Sequence, residues 1–261
     1  MSPESSASTT GLQSKLGGPN DGAPPAAGAQ QGRAHFQQQL QELESHALGG
    51  LDLIVEQLDR VLEALNHQDV ELAQMVIADD DRIDGRYLET HQAILSLLAR
   101  QTPVAGDLRL VAALLHLIMH VERIGDQCVN VAKLVILAGG EEPAHPELLT
   151  MLARMGAMAR ELVSQCQAAF RGRDLALATD LLDKESGVSR LNREIFRAAL
   201  DVGEDPETRE WATYMVLAAR ALEKIADNAI DIGEQVAFVV TGLFQEFSDT
   251  FRPAIRTGMQ A

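Results

Sequence analysis

The chain is 261 residues long, with 46% hydrophobic and 23% charged residues but only 4% aromatic ones, a mix that favours helices because strands draw on β-branched and aromatic side chains. Its 38 acidic residues outweigh 22 basic ones, giving a formal net charge of −16, which argues against a nucleic-acid partner and against docking on anionic lipid, since both need clustered Lys and Arg. Two cysteines, Cys128 and Cys166, stand in no metal-ligand spacing and fit a reducing compartment rather than a disulfide framework.

Residues 1 to 32 are rich in Gly, Ser, Ala, Pro and Gln. They carry too little apolar surface to offset ordering entropy, so this segment reads as a disordered tail. From Arg33 the pattern turns helical. Leu40, Leu43, Ala47, Leu51, Ile54, Leu58, Leu62 and Leu65 recur at three- and four-residue steps, the apolar stripe of one long helix. Asp69 is the expected N-cap of a second helix running to about Gln101. Thr102-Pro103 ends that helix, and Asp107 lies near the start of a third that reaches about Ala138.

After Gly139-Gly140-Glu141-Glu142-Pro143, a linker by composition, the plan repeats. A helix is expected from about Pro146 to Arg171, a second from the cap at Asp174 to about Val202, and a third from Glu207 to Thr241. Asn66–Leu95 lies over Arg171–Leu200 without a gap, 105 residues on, whereas Val121–Asp126 lies over Leu222–Asp227, 101 residues on. The expected fold is all-α, two pseudo-repeated three-helix bundles of six long helices. One repeat spans 33–140, the other 144–245, and a C-terminal tail covers 246–261. The longest apolar run, about Val111 to Val121, contains His116 and His120 and falls well short of the roughly 20 residues of a membrane span. No secretory signal is visible, so a cytoplasmic location is expected.

The third helix of each repeat carries the chemistry. Its first copy is apolar almost all round, so it is expected to be buried, yet Glu122, Asp126 and Asn130 share one stripe at four-residue steps. The second copy offers Glu223, Asp227 and Asp231 in the same register, with Lys224 in place of Arg123. The second helices add Asp80 and Asp84, which correspond 105 residues on to Glu185 and Ser189. Convergent carboxylates on facing helices suit a hard, oxygen-preferring cation. The competing reading is that such acids are solvated, or neutralised by Arg. His116 and His120 are rotated well away from the acid stripe and are expected to be hydrogen-bonded, partly buried histidines. No HExxH, phosphate loop or nucleophile elbow appears.

Gln101-Thr-Pro-Val-Ala-Gly-Asp-Leu-Arg109, followed by Glu122-Arg-Ile-Gly-Asp126 and Asn130, resembles the first repeat of PhoU proteins. Glu223-Lys-Ile-Ala-Asp227, Gly233-Glu234 and Gly242 resemble the second. The resemblance covers about residues 35 to 245. It implies a cytoplasmic or membrane-peripheral homodimer acting as a negative regulator of phosphate uptake and of the phosphate-starvation response. Its partners would be the ATPase subunit of a phosphate ABC transporter and a sensor histidine kinase. It also implies metal sites, iron or zinc among the candidates with manganese or magnesium open. The first would use Asp80, Asp84, Glu122 and Asp126, and the second Glu185, Glu223 and Asp227. Departures at Ser189, Lys224 and Ala226 put the second site in doubt. The leading expectation is a non-enzymatic adaptor; the alternatives are an enzyme with a carboxylate-bridged cluster and a plain helical scaffold.

Overall fold

A computed structural model describes residues 27–139, 145–244 and 246–247, with side chains from Gly32 onward. Its helices are α1 (Ala27–His67), α2 (Val70–Ala78), α3 (Asp81–Arg100), α4 (Ala105–Ala138), α5 (Pro146–Gly172), α6 (Leu175–Leu200) and α7 (Pro206–Thr241). The described residues contain no strand, and the all-α fold of two three-helix repeats holds. The first is α1, the α2–α3 rod and α4; the second is α5, α6 and α7.

Three differences from the sequence expectation stand out. The helix α1 begins at Ala27, inside the segment read as tail, because Ala27, Ala29, Gln30 and Gln31 are good helix formers that extend the amphipathic helix. Residues 1–26 and 248–261 lie outside the described residues, as do 140–144 of the expected linker. Phe247, assigned to the C-terminal tail, is buried and donates its N–H to Glu234 Oε1 at 2.5 Å. The expected second helix is interrupted between α2 and α3, where the N–H groups of Asp80, Arg82 and Ile83 reach back three residues rather than four. Three consecutive aspartates, poor helix formers that repel one another, account for the loosened turn.

Both helix–helix corners repeat in detail. Gln68 and Arg173 each take a left-handed conformation at φ 51°. The following aspartates cap the next helix: Asp69 accepts from Leu72 N–H at 2.9 Å, and Asp174 from Ala176 and Leu177 N–H at 2.9 and 3.0 Å.

The two repeats meet mainly along α4 and α7, with α1 against α5 as a second seam. The core is one continuous cluster across both. Small residues on α7, among them Ala218, Ala219, Ala226 and Ala229, are fully buried and let neighbouring backbones approach closely. Arg160–Asp59 at 2.9 Å, Arg171–Asp52 at 2.8 Å and Arg173–Glu44 at 2.5 Å lace α5 to α1. Such partly exposed pairs contribute about 0.2–1 kcal/mol each, so the apolar seam dominates. Among the described residues no helix is long and apolar enough to cross a membrane.

Candidate functional site

Asp80 sits in the break between α2 and α3. It holds the N-cap position of α3 but makes no capping bond. Instead its Oδ1 accepts a hydrogen bond at 3.3 Å from Gln57 Nε2 on α1. The same Oδ1 lies 3.5 Å from where a Cβ on Gly125 would stand, with Ile83 Cγ2 at 3.3 Å. Gly125 thus gives the broken turn a close seat on α4, where a methyl group would press on the Ile83 side chain.

The four acids of the first repeat feel one another. Burial raises the Asp80 carboxyl above the ordinary carboxylate range; the Gln57 hydrogen bond opposes this, and the charges of Asp84, Asp126 and Asp81 add to it. Burial likewise raises Glu122, reinforced by Asp126 and Asp84, with Arg123 pulling the other way. Asp80 and Glu122 are half-buried, but Asp84, Asp126 and Asn130 are exposed. The stripe thus runs along the rim of the bundle rather than inside it, because α4 spends its apolar faces on neighbouring helices. Arg123, one residue on from Glu122, makes no ion pair with these acids. It is exposed and lines a cleft of about 650 Å³ with Glu185, Lys224, Asp227 and Asp231.

None of Asp80, Asp84, Glu122 and Asp126 has a Lys or Arg partner within ion-pair distance among the described residues, and Arg60 is taken by Asp79. Gln57 is 1% exposed, and its Oε1 has no hydrogen-bond partner. An orphaned buried carbonyl oxygen costs about 1–3 kcal/mol. It is the kind of oxygen that, with carboxylates, suits a hard cation. Among the described residues no three His, Cys, Asp or Glu side chains converge closely enough to hold an ion as they stand. Asp84 and Asp126 are exposed, and their side chains have room to change rotamer.

The second repeat differs in kind. Glu223 is buried; its Oε2 accepts from Asn192 Nδ2 at 2.8 Å and is paired with Arg220. Ser189 Oγ lies between Glu185 Oε1 at 2.6 Å and Glu223 Oε1 at 3.0 Å. Lys224 Nζ meets Asp227 Oδ2 at 2.5 Å. These acids already have their partners.

Between the repeats, buried His120 on α4 faces α7, with Nδ1 at 2.9 Å from Asn228 Oδ1 and 3.5 Å from Asp231 Oδ2. Asn228 Nδ2 donates to Lys224 O, so its oxygen is the acceptor and His120 Nδ1 carries the proton. Burial lowers the His120 pKa from its ordinary value; Asn228 and Asp231 counter this, while Arg123 and His116 add to it. The structure thus makes His120 a hydrogen-bonded core histidine, as expected, whereas His116 is exposed beside Phe244. Cys128 and Cys166 are free and buried, and burial pushes the Cys166 thiol up to about 12.

Gln57, Asn192 and Arg220 are the site residues that the sequence reading missed. Gln57 offered a signal: it is a polar residue inside the apolar stripe between Ile54 and Val61. Arg220 offered another, its three-residue spacing from Glu223.

Comparison with known proteins gives the same frame. A family model described as PhoU domain matches residues 51–135 and again 152–236. The chain is 28% identical over 219 residues to a Clostridium acetobutylicum protein named phosphate-specific transport system accessory protein PhoU homolog, covering 83% of this chain and 99% of that one. It is 30% identical to a Mycobacterium leprae homolog of the same description, covering 82% and 96% respectively. Its fold is similar to the crystal structure of PhoU from Pseudomonas aeruginosa, with TM-score 0.74 and 29% identity over 80% of this chain and 100% of that one. The phosphate transport system regulatory protein PhoU from Streptococcus pneumoniae gives the same TM-score at 26% identity, over 81% and 99%.

Proposed function

Because the chain belongs to the PhoU family, we propose that it is a cytoplasmic negative regulator of phosphate uptake and of the phosphate-starvation response. In this reading it is a non-enzymatic adaptor, working as a homodimer, that links the ATPase subunit of a phosphate ABC transporter to a sensor histidine kinase. One observation carries the reading: the two PhoU-domain copies are joined along α4 and α7 into a single core. That arrangement presents two helical faces on one rigid body, and the excess of carboxylates over cations complements basic partner surfaces and speeds encounter with them.

The first repeat adds a cation site. Asp80, Asp84, Glu122 and Asp126 would hold the ion, with the Gln57 amide N–H donating to Asp80. An iron, zinc, manganese or magnesium ion would supply positive charge there and tie the α2–α3 break to α4. It would stabilise the fold by binding the folded state only. The chain's own groups perform the rest: Gln57 orients Asp80, and Gly125 admits the broken turn.

The test is capture from phosphate-replete cells on the immobilised full chain. Recovery of a transporter ATPase and a histidine kinase, both lost after phosphate starvation or deletion of either repeat face, is the expected result. Recovery of neither, with cells lacking the protein showing ordinary phosphate uptake, would overturn the adaptor role.

A further inference from the structure

The two repeats place their acids alike and compensate them differently. In the register fixed by the matching corners, Gln57 stands where Leu162 stands 105 residues on, Asp84 where Ser189 stands, and Tyr87 where Asn192 stands. On α4 and α7, Met119 stands where Arg220 stands 101 residues on. Each change moves the second repeat the same way. A carboxylate becomes a hydroxyl, a thioether becomes a guanidinium, an aromatic ring becomes an amide, and the buried amide of α1 becomes a fully apolar side chain.

The outcome is an acid cluster in which Glu223 and Asp227 are compensated by side-chain cations, while Glu185 and Glu223 share the Ser189 hydroxyl. Glu223 has 8% exposure, and a carboxylate so placed needs a cation or several donors. It has both: the Arg220 guanidinium and Asn192 Nδ2 on one oxygen, and the Ser189 hydroxyl by the other. Asp227, the remaining acid of the motif, is held by Lys224. A metal ion entering here would have to displace two side-chain cations from oxygens that already hold hydrogen bonds. Among the described residues Asp80, Asp84, Glu122 and Asp126 of the first repeat have no Lys or Arg at ion-pair distance, and Asp80 has only the Gln57 amide.

We infer that the second repeat has exchanged its metal for Arg220, Asn192 and Ser189, so that its acid cluster is a metal-independent clasp of α6 on α7, and this chain takes up ion at the first repeat only. The single-ion part rests on the cation reading of the first repeat; the clasp does not. The chemistry agrees with the donor count. Arg220 and Lys224 together supply the two positive charges that a divalent ion would bring, and Ser189 occupies the place from which Asp84 would bind it.

Equilibrium dialysis of the full chain against Mn2+, with bound metal measured by elemental analysis, separates the two. Asp227→Asn is expected to keep the wild-type amount, Asp126→Asn to lose it, and the Ser189→Asp/Arg220→Met pair to take up additional Mn2+ that disappears when Asp227→Asn is added. Loss of Mn2+ in Asp227→Asn alone, or no gain in the double variant, would overturn the inference. If the wild type binds no Mn2+ and the double variant does, the clasp stands and the first-repeat reading falls. Arg220→Met alone, melted in EDTA, is expected to lose several degrees of thermal midpoint with helical content intact; an unchanged midpoint counts against Arg220 as the compensating charge.

Discussion

Asp84 and Ser189 occupy one position in the two repeats and face opposite circumstances. The Asp84 carboxylate is exposed with no basic partner among the described residues, whereas Ser189 Oγ sits 2.6 Å from Glu185 and 3.0 Å from Glu223. A duplicated helix pair thus keeps its geometry while its electrostatics diverge, and the divergence sets what each repeat does when pH or metal changes.

Acidification tests the first repeat. Asp80 and Glu122 have folded pKa values raised above their ordinary ones, so the folded chain binds their protons more tightly than the unfolded chain does. Their ionisation therefore costs stability at neutral pH, and that cost is relieved as pH falls through the raised values towards the ordinary 3.8 and 4.5. Asp80→Asn is expected to raise the thermal midpoint in EDTA at pH 7 and to flatten this part of the pH profile. Melts between pH 4 and 8 check it.

His120 works with the opposite sign. Its folded pKa lies below the ordinary 6.5, so the unfolded chain takes the proton more readily. The stability that neutral His120 contributes is present at pH 7 and is lost as pH falls below about 6.5. The wild type minus His120→Gln difference in urea midpoint is expected to shrink from pH 7.5 to pH 5.5. A difference that does not change with pH would contradict the buried, neutral imidazole.

Gln57→Leu makes the first repeat match Leu162 of the second. The fold is expected to survive, because removing the orphaned Oε1 offsets the loss of the hydrogen bond that Nε2 donates to Asp80. Supporting partners of a metal site typically account for about 10–100-fold in affinity, so a loss of Mn2+ affinity in that range is expected from titration.

Packing at the far end of α7 is tight. A Cβ on Gly233 would lie 2.7 Å from Leu181 Cδ1 and 3.3 Å from the Ala178 carbonyl oxygen. The backbone there cannot yield as a side chain can. Gly233→Ala is expected to cost about 1–3 kcal/mol in chemical denaturation.

The caps at Asp69 and Asp174 were legible because capping is a local exchange between one side chain and the next turn. The order of the helices was legible for a similar reason, since apolar spacing carries through them. The break at Asp79–Asp80 was not, because the apolar phase passes from Val76 to Ile83 without a slip. The acid pattern of both repeats could be read from spacing, but not its surroundings. Whether Glu122 lies at a rim, whether Gln57 reaches Asp80 and whether Arg220 turns onto Glu223 all depend on how α1, α4, α6 and α7 dock. That docking leaves no trace in the periodicity of any single helix.

The sequence contains a single tryptophan, and the fold puts it at the junction of the halves. Trp211 is buried near the start of α7 and its indole N–H reaches Gln68 Oε1, in the corner of the first repeat, at 3.3 Å. Its fluorescence is therefore a built-in gauge of that seam: emission at short wavelength while the halves stay together, shifting to the red when water enters between them, with no dye or label attached.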